Sequence, residues 1–122
     1  MNAGEVLRRF YEAVIKRDLA TARKYLADDL EFVGLFETYR SADQYIAAPS
    51  GLLSITTKLD MKTVIGESDD AAIFFELQTR ANGEATVLVA EWHRVKGGKI
   101  WHAESAFDAR PYEAMFAGSE TA

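Results

Sequence analysis

The sequence has no cysteine. A disulfide framework, thiolate catalysis, zinc ribbons and Cys-ligated iron–sulfur clusters are therefore excluded. Basic residues are outnumbered, 14 Lys and Arg against 19 Asp and Glu, for a formal charge of −5. An acidic chain of this kind is poorly suited to nucleic acid or an anionic membrane, and neither is expected as a partner. No apolar run approaches the roughly 18 residues of a membrane span. The opening Met1-Asn2-Ala3-Gly4-Glu5 lacks the basic start and apolar stretch of a signal peptide, so a cytoplasmic location is the expectation. There is no internal repeat, linker or low-complexity tract.

What remains is ordinary globular material: 48% hydrophobic and 27% charged over 122 residues. That is the length of one domain, expected over residues 1–122 with a core from about 4 to 112 and a tail over 113–122. A chain this size buries about two-thirds of its unfolded surface without a disulfide or metal staple.

Val6, Leu7, Phe10, Val14 and the flanking Tyr11 and Ile15 recur at helical spacing over about residues 4–17, behind an Asn2/Glu5 capping pair. Asp18 caps a second helix carrying Leu19, Ala22, Tyr25 and Leu26, with Asp28-Asp29 beyond its end. Leu30 to Glu37 reads as a strand. Ser41 to Gln44 opens a third helix through Tyr45 and Ile46, which Pro49-Ser50-Gly51 breaks before a last turn through Leu52 and Leu53. From Lys58 the period falls to two. Strands are expected over 58–65, 71–80, 85–95 and 99–107, with turns at 66–70, Asn82-Gly83 and Gly97-Gly98. Arg110-Pro111 ends the sheet, one helical turn follows over 112–116, and 118–122 is a frayed end. Helices ahead of a hairpin meander argue an α+β fold with helices on one face of a curved antiparallel sheet.

The turns set a register. With Asn82-Gly83 as a two-residue loop, Ala81 pairs with Glu84 and Phe74 lies opposite Glu91. With Gly97-Gly98 as the next loop, Glu91 lies opposite Glu104 and His93 opposite His102. One face then carries Phe74, Glu76, Gln78, Val87, Val89, Glu91, His93, His102, Glu104 and Asp108. The other carries Ile73, Phe75, Leu77, Leu88, Trp92, Arg94, Trp101 and Phe107, an apolar patch that a helix layer or a second subunit would cover. A bulge in either hairpin would flip part of this assignment.

On that register Glu91, His93, His102 and Glu104 form a two-by-two cluster suited to general acid–base work. The alternatives are a divalent metal site or ordinary cross-strand pairs on a solvated surface. His102-Ala103-Glu104 matches the H-x-E fragment of zinc deaminases, but their P-C-x-x-C partner needs cysteine. The glycine pairs are turns, with no strand-to-helix context for phosphate. Tyr11, Tyr25, Tyr39 and Tyr45 read first as core or rim residues. Trp92 and Trp101 read first as packing residues, and as anchors if a partner covers them.

Over residues 5–112 the chain resembles the nuclear transport factor 2-like superfamily, in its SnoaL-like (polyketide cyclase-like) branch. The residues that carry this are Val6-Leu7-Arg8-Arg9-Phe10-Tyr11-Glu12-Ala13, Arg17-Asp18-Leu19, Tyr25-Leu26-Ala27-Asp28-Asp29-Leu30-Glu31-Phe32, Ala90-Glu91-Trp92-His93-Arg94-Val95, Gly98-Lys99-Ile100 and Phe107-Asp108-Ala109-Arg110-Pro111. The resemblance implies a cone: a bent sheet wrapped round a pocket, closed by the N-terminal helices. It also implies a homodimer through the outer sheet face, here the face with Trp92 and Trp101. Glu91 falls where ketosteroid isomerases place a protonated aspartate, Phe10 where they place the oxyanion tyrosine, and Gly34 near their general base. Asp108 falls where polyketide cyclases of this fold carry an acid–base aspartate.

The expectation is a small-molecule-binding protein without cofactor or metal, its ligand a partly apolar organic molecule. If it is an enzyme, the chemistry is of the cyclase, isomerase or dehydratase kind. Glu91 is then proton donor or oxyanion stabiliser, Asp108 or Glu104 the base, and His93 or His102 the shuttle. Phe10, Phe32, Phe74, Glu76 and Val89 are the expected ligand contacts. The alternative is a ligand-binding or protein-interaction dimerisation module without turnover.

Overall fold

A computed structural model describes residues 1–47, 52–81 and 83–113. The expected break at Pro49-Ser50-Gly51, residue Asn82 and most of the expected turn at 112–116 lie outside the described residues, as does the tail. Helices α1 (Ala3–Ile15), α2 (Leu19–Arg23) and α3 (Ala42–Ala47) accompany strands β1 (Leu26–Val33), β2 (Thr38–Tyr39), β3 (Thr56–Glu67), β4 (Asp70–Arg80), β5 (Glu84–Lys96) and β6 (Lys99–Ala106), with short 3-10 turns at Leu52–Ile55 and Arg110–Tyr112.

The helix starts follow local capping chemistry. Asn2 Oδ1 accepts from the Glu5 N–H at 3.0 Å, Asp18 Oδ1 from the Thr21 N–H at 3.1 Å, and Ser41 Oγ from the Gln44 N–H at 3.0 Å. Helix α1 buries Val6, Leu7, Phe10, Tyr11 and Val14 along one stripe, each large apolar side chain contributing about 1.5–3 kcal/mol. Its first turn lies close against β3, where a methyl on Gly66 would meet the Gly4 backbone at 3.0 Å. Its last turn ends in a Schellman motif: the Arg17 N–H donates to the Val14 carbonyl and the Asp18 N–H to the Ala13 carbonyl, both at 2.9 Å. That motif needs a left-handed residue after the cap. Arg17 fills it at φ 61°, where glycine is the usual occupant.

The six strands form one sheet in the order β2-β1-β6-β5-β4-β3. It is mixed and open, because β1 runs parallel to β6 while the other pairs are antiparallel. The second helix is shorter than expected, and Leu26 to Asp29 belong to β1. Register shifts in β1/β6, β3/β4 and β5/β6 bend the sheet round α1.

Two local features revise the faces read from the turns. First, Arg80 rather than Ala81 pairs with Glu84, so the loop holds residues 81–83, and the Ala81 N–H donates to the Gly83 carbonyl at 3.0 Å. The extra loop residue slips β4 by one and turns its alternation over. Ile73, Phe75 and Leu77 are buried on the concave face, opposite the expected assignment, while Phe74 and Glu76 point to the convex side. Second, the Gly97-Gly98 turn keeps Lys96 opposite Lys99, but the register shifts between Arg94/His102 and Val95/Ile100. Trp101 is the extra residue of that bulge. Beyond it, Glu91 lies opposite Ser105 and His93 opposite Ala103.

Candidate functional site

The bulge divides the expected four-residue cluster. Glu91 and His93 lie inside, 6% and 2% exposed. His102 and Glu104 lie on the convex face, where His102 Nε2 is 3.0 Å from Glu104 Oε2 and its Nδ1 is 3.1 Å from Glu31 Oε1. Asp108 also lies away from the interior. Three bonds from the Arg110 side chain, at 2.6, 2.9 and 3.1 Å, hold its carboxyl down at about 2. Of the expected contacts, Phe10, Phe32 and Val89 line the cavity described next, and Phe74 and Glu76 do not.

That cavity, of about 420 Å³, lies between the concave sheet face, α1 and α3. Its walls are mostly apolar and aromatic. Phe32 stacks on Tyr45 with centroids 4.6 Å apart, and Tyr39 meets Tyr45 edge-on at 5.7 Å. The polar groups are few and paired. At one place the Tyr11 hydroxyl donates to Glu91 Oε1, and His93 Nε2 lies 2.9 Å from the same oxygen. At another, on the β1–β2 turn, the Tyr39 hydroxyl donates to Glu37 Oε2. Arg17, Ser54, Thr56 and Ser105 complete the polar lining.

Tyr11 is held by its ring as well as its hydroxyl, edge-on to Phe10 at 5.0 Å and tilted against Phe75 at 5.3 Å. Burial pushes its phenol well above the ordinary tyrosine range, and the Glu91 charge pushes it further. Burial and the Glu91 charge do the same to Tyr45. Burial and the bond to Glu37 raise Tyr39. All three therefore remain phenols at neutral pH, able to donate a hydrogen bond. His93 sits behind Glu91, outside the cavity lining. Among the described residues its buried Nδ1 has no hydrogen-bond partner. His93 touches Glu91 and the edge of the Tyr11 ring, with centroids 6.0 Å apart. Among the described residues no group of three or more His, Asp or Glu side chains is arranged to hold a metal.

Three of the four tyrosines read from sequence as core or rim thus line the cavity, and Tyr25 does not. Phe10, at the position that the resemblance matches to an oxyanion tyrosine, carries no hydroxyl; the phenol that reaches Glu91 belongs to the next residue, Tyr11. Glu37, read from the sequence as the last residue of a strand over 30–37, lies instead on the turn after β1, which ends at Val33, and nothing in its sequence neighbourhood separates a turn from a site.

A helix-closed cone of bent sheet, with a carboxylate and tyrosines at its interior, defines a class of small α+β pocket proteins. The chain belongs to the family of SnoaL-like domains, whose model matches residues 7–103. No curated protein sequence matches it. Among solved structures, a protein from Kribbella flavida is 19% identical with a TM-score of 0.82, covering 99% of this chain and 98% of that one. A nuclear transport factor 2-like protein from Burkholderia pseudomallei is 20% identical with a TM-score of 0.80, covering 95% and 98%. A candidate SnoaL-like polyketide cyclase from Mesorhizobium loti is 20% identical with a TM-score of 0.71, covering 87% and 99%. Identities this low establish the fold and leave the chemistry to the site.

Proposed function

We propose that this protein is a cofactor-independent acid–base catalyst acting on a small, largely apolar carbonyl compound held inside the cone. The observation that carries this reading is the convergence of Tyr11 and His93 on one buried Glu91 oxygen, at the wall of an otherwise aromatic cavity. While His93 Nε2 remains on the Glu91 carboxyl, the Tyr11 O–H keeps its own proton and turns from Glu91 Oε1 into the cavity. It then meets a ligand carbonyl and stabilises negative charge that develops there. His93 holds Glu91 in place as a positioning residue.

Glu37 supplies the base, oriented by Tyr39. It takes a proton from the carbon next to the carbonyl, the electron pair moves into the enolate, and Tyr11 hydrogen-bonds the enolate oxygen. Return of the proton from Glu37 to the same or a conjugated carbon completes exchange or isomerisation, with no net change in protons. Asp108, Glu104 and His102 have no part in this scheme, because none lines the cavity.

The test is deuterium incorporation next to the carbonyl of tetralone in heavy water, followed by NMR. Wild type should accelerate it, and Glu37→Gln and Tyr11→Phe should each remove most of the acceleration. Wild-type exchange no faster than with an unrelated protein would refute catalysis and leave ligand binding without turnover, which the mostly apolar lining favours as the second reading.

The convex face supports a further part of this reading, a homodimer. Leu88, Trp92 and Trp101 are 58%, 43% and 37% exposed there, and the Arg94 guanidinium stacks over both tryptophans at 5.6 and 4.8 Å. A second copy would cover this patch with the tryptophans as anchors.

A further inference from the structure

We infer that the cavity receives the protonated amine of a small organic ligand, and that Glu91 Oε2 is the atom that takes it. The hydrogen bonds of the Glu91 carboxyl, to the Tyr11 hydroxyl and to His93 Nε2, both fall on Oε1. Among the described residues Oε2 has none, although Glu91 is 6% exposed and lines the cavity. An ionised carboxylate offers about four lone-pair positions, so the two donors on Oε1 leave capacity for a donor from outside the chain. An ammonium nitrogen is such a donor, of the right charge, and it binds Oε2 without displacing Tyr11. That the same ligand carries a carbonyl rests on the function proposed above; the amine site does not.

The electrostatics point the same way. Among the described residues no Lys or Arg side chain pairs with the Glu91 carboxyl, and its close basic neighbour is His93. That ring meets Glu91 at Nε2, and among the described residues its buried Nδ1 has no partner. A proton added to Nδ1 would bury an N–H with nothing to accept it, so the ring serves as a neutral Nε2–H donor. Tyr11 is a neutral donor too. A carboxylate buried among neutral donors carries its desolvation cost until a cation joins it. The charge is felt beyond its bonded neighbours: after burial, it is the largest influence raising the Tyr45 phenol.

The walls suit an organic cation. Phe32, Tyr39 and Tyr45 line the cavity and pack against one another. Tyr11, bonded to Glu91, leans on Phe75, which lines the cavity as well. Aromatic faces carry partial negative charge and attract ammonium groups, most strongly where water is excluded. Among the charged side chains of the lining, the carboxylates Glu37 and Glu91 outnumber the guanidinium of Arg17, which donates to the Thr56 carbonyl. Glu37 is only partly buried, so water can balance its charge, whereas the buried Glu91 depends on the ligand.

The test compares para-phenylbenzylamine, protonated at neutral pH, with the neutral para-phenylbenzyl alcohol by calorimetric titration. Wild type should bind the amine about tenfold or more tightly than the alcohol, the scale of a charge-assisted hydrogen bond. Glu91→Gln keeps the shape of the side chain and should bind both probes alike. In wild type, the benzylic protons of the bound amine should show NMR cross-relaxation with the Tyr11 ring and not with the Tyr39 ring. That contact marks Glu91 rather than Glu37 as the acceptor, and it decides the matter even if the variant fails to fold. Equal binding by wild type, a preference that survives in Glu91→Gln, contact with Tyr39 instead, or no binding of either probe would overturn the inference. The readout is binding alone. An amine preference without tetralone exchange would remove the catalytic reading and leave this site standing, and exchange without the preference would do the reverse.

Discussion

Removing a single oxygen from Tyr11 tests the centre of the site. In Tyr11→Phe the ring keeps its neighbours Phe10, Phe75 and His93, so packing changes by no more than a hydroxyl. What disappears is the bond to Glu91, whose carboxyl is 6% exposed. A hydrogen bond to a charged group contributes about 1.5–3 kcal/mol. Glu91 still meets His93 Nε2 at 2.9 Å, so its oxygen is not left bare, and the loss should fall at the lower end, about 1–2 kcal/mol. For a chain of this length that corresponds to a fall in Tm of roughly 3–8 °C. Thermal and urea unfolding, followed by circular dichroism, would measure it. A cycle with Glu91→Gln would isolate the coupling, which should exceed about 0.5 kcal/mol. The same variant should lower the tetralone exchange rate by about a hundredfold or more, the usual effect of losing one donor to a developing oxyanion. A Tyr11→Phe protein as stable as wild type, with no coupling to Glu91, would refute the hydrogen bond as the organising feature of the site.

Four further outcomes follow from the same geometry. His93→Leu deletes a partner of Glu91 together with the orphaned Nδ1, so urea unfolding should show a loss of about 1–3 kcal/mol, short of the roughly 3–5 kcal/mol for breaking a buried ion pair; a larger loss would mean that Nδ1 has a partner. Tyr11, Tyr39 and Tyr45 all have phenols raised in the folded state; the stability they confer is complete below the unfolded value of about 10 and is lost as pH rises toward the folded values, so phenolate absorbance of the buried Tyr11 should appear together with unfolding, and its titration in the folded protein would contradict its burial. Asp108→Asn should leave neutral-pH exchange unchanged, because the carboxyl is tied to Arg110 away from the cavity, and its depressed value near 2 means that its contribution, present above the ordinary carboxylate range, vanishes only as pH falls through about 2; a marked loss of exchange would return Asp108 to the site. Trp92→Ala should raise the dimer dissociation constant by about thirtyfold, as for a buried aromatic anchor, and an unchanged sedimentation mass at low concentration would sink the proposed interface.

Much of this architecture was legible locally. The caps Asn2, Asp18 and Ser41 act on their own helices within a few residues. The period-two pattern marks the long strands, and the Gly97-Gly98 turn pairs Lys96 with Lys99 as its sequence requires. The parallel β1–β6 pair was not legible, since strands so distant in sequence carry no turn to announce their pairing. The place of Glu37 on the cavity wall was not legible either, because its own neighbours in sequence do not define that cavity.

By itself the sequence determined the alternation within each strand, so Glu91 and His93 had to share a face whatever lay opposite. Only the tertiary structure decided what that face contains. Residues 81–83 make one loop a residue longer than its glycine signal implies, and Trp101 adds a bulge to the other hairpin. Each slip of one residue exchanges the two faces of a strand. Together they carry Ile73, Phe75 and Leu77 inward, send His102 and Glu104 outward, and leave Glu91 free to meet a tyrosine 80 residues away. The pleat is a property of each residue and its neighbours; register is a property of pairs of strands, and it is settled by which side chains the bent sheet and α1 can bury together.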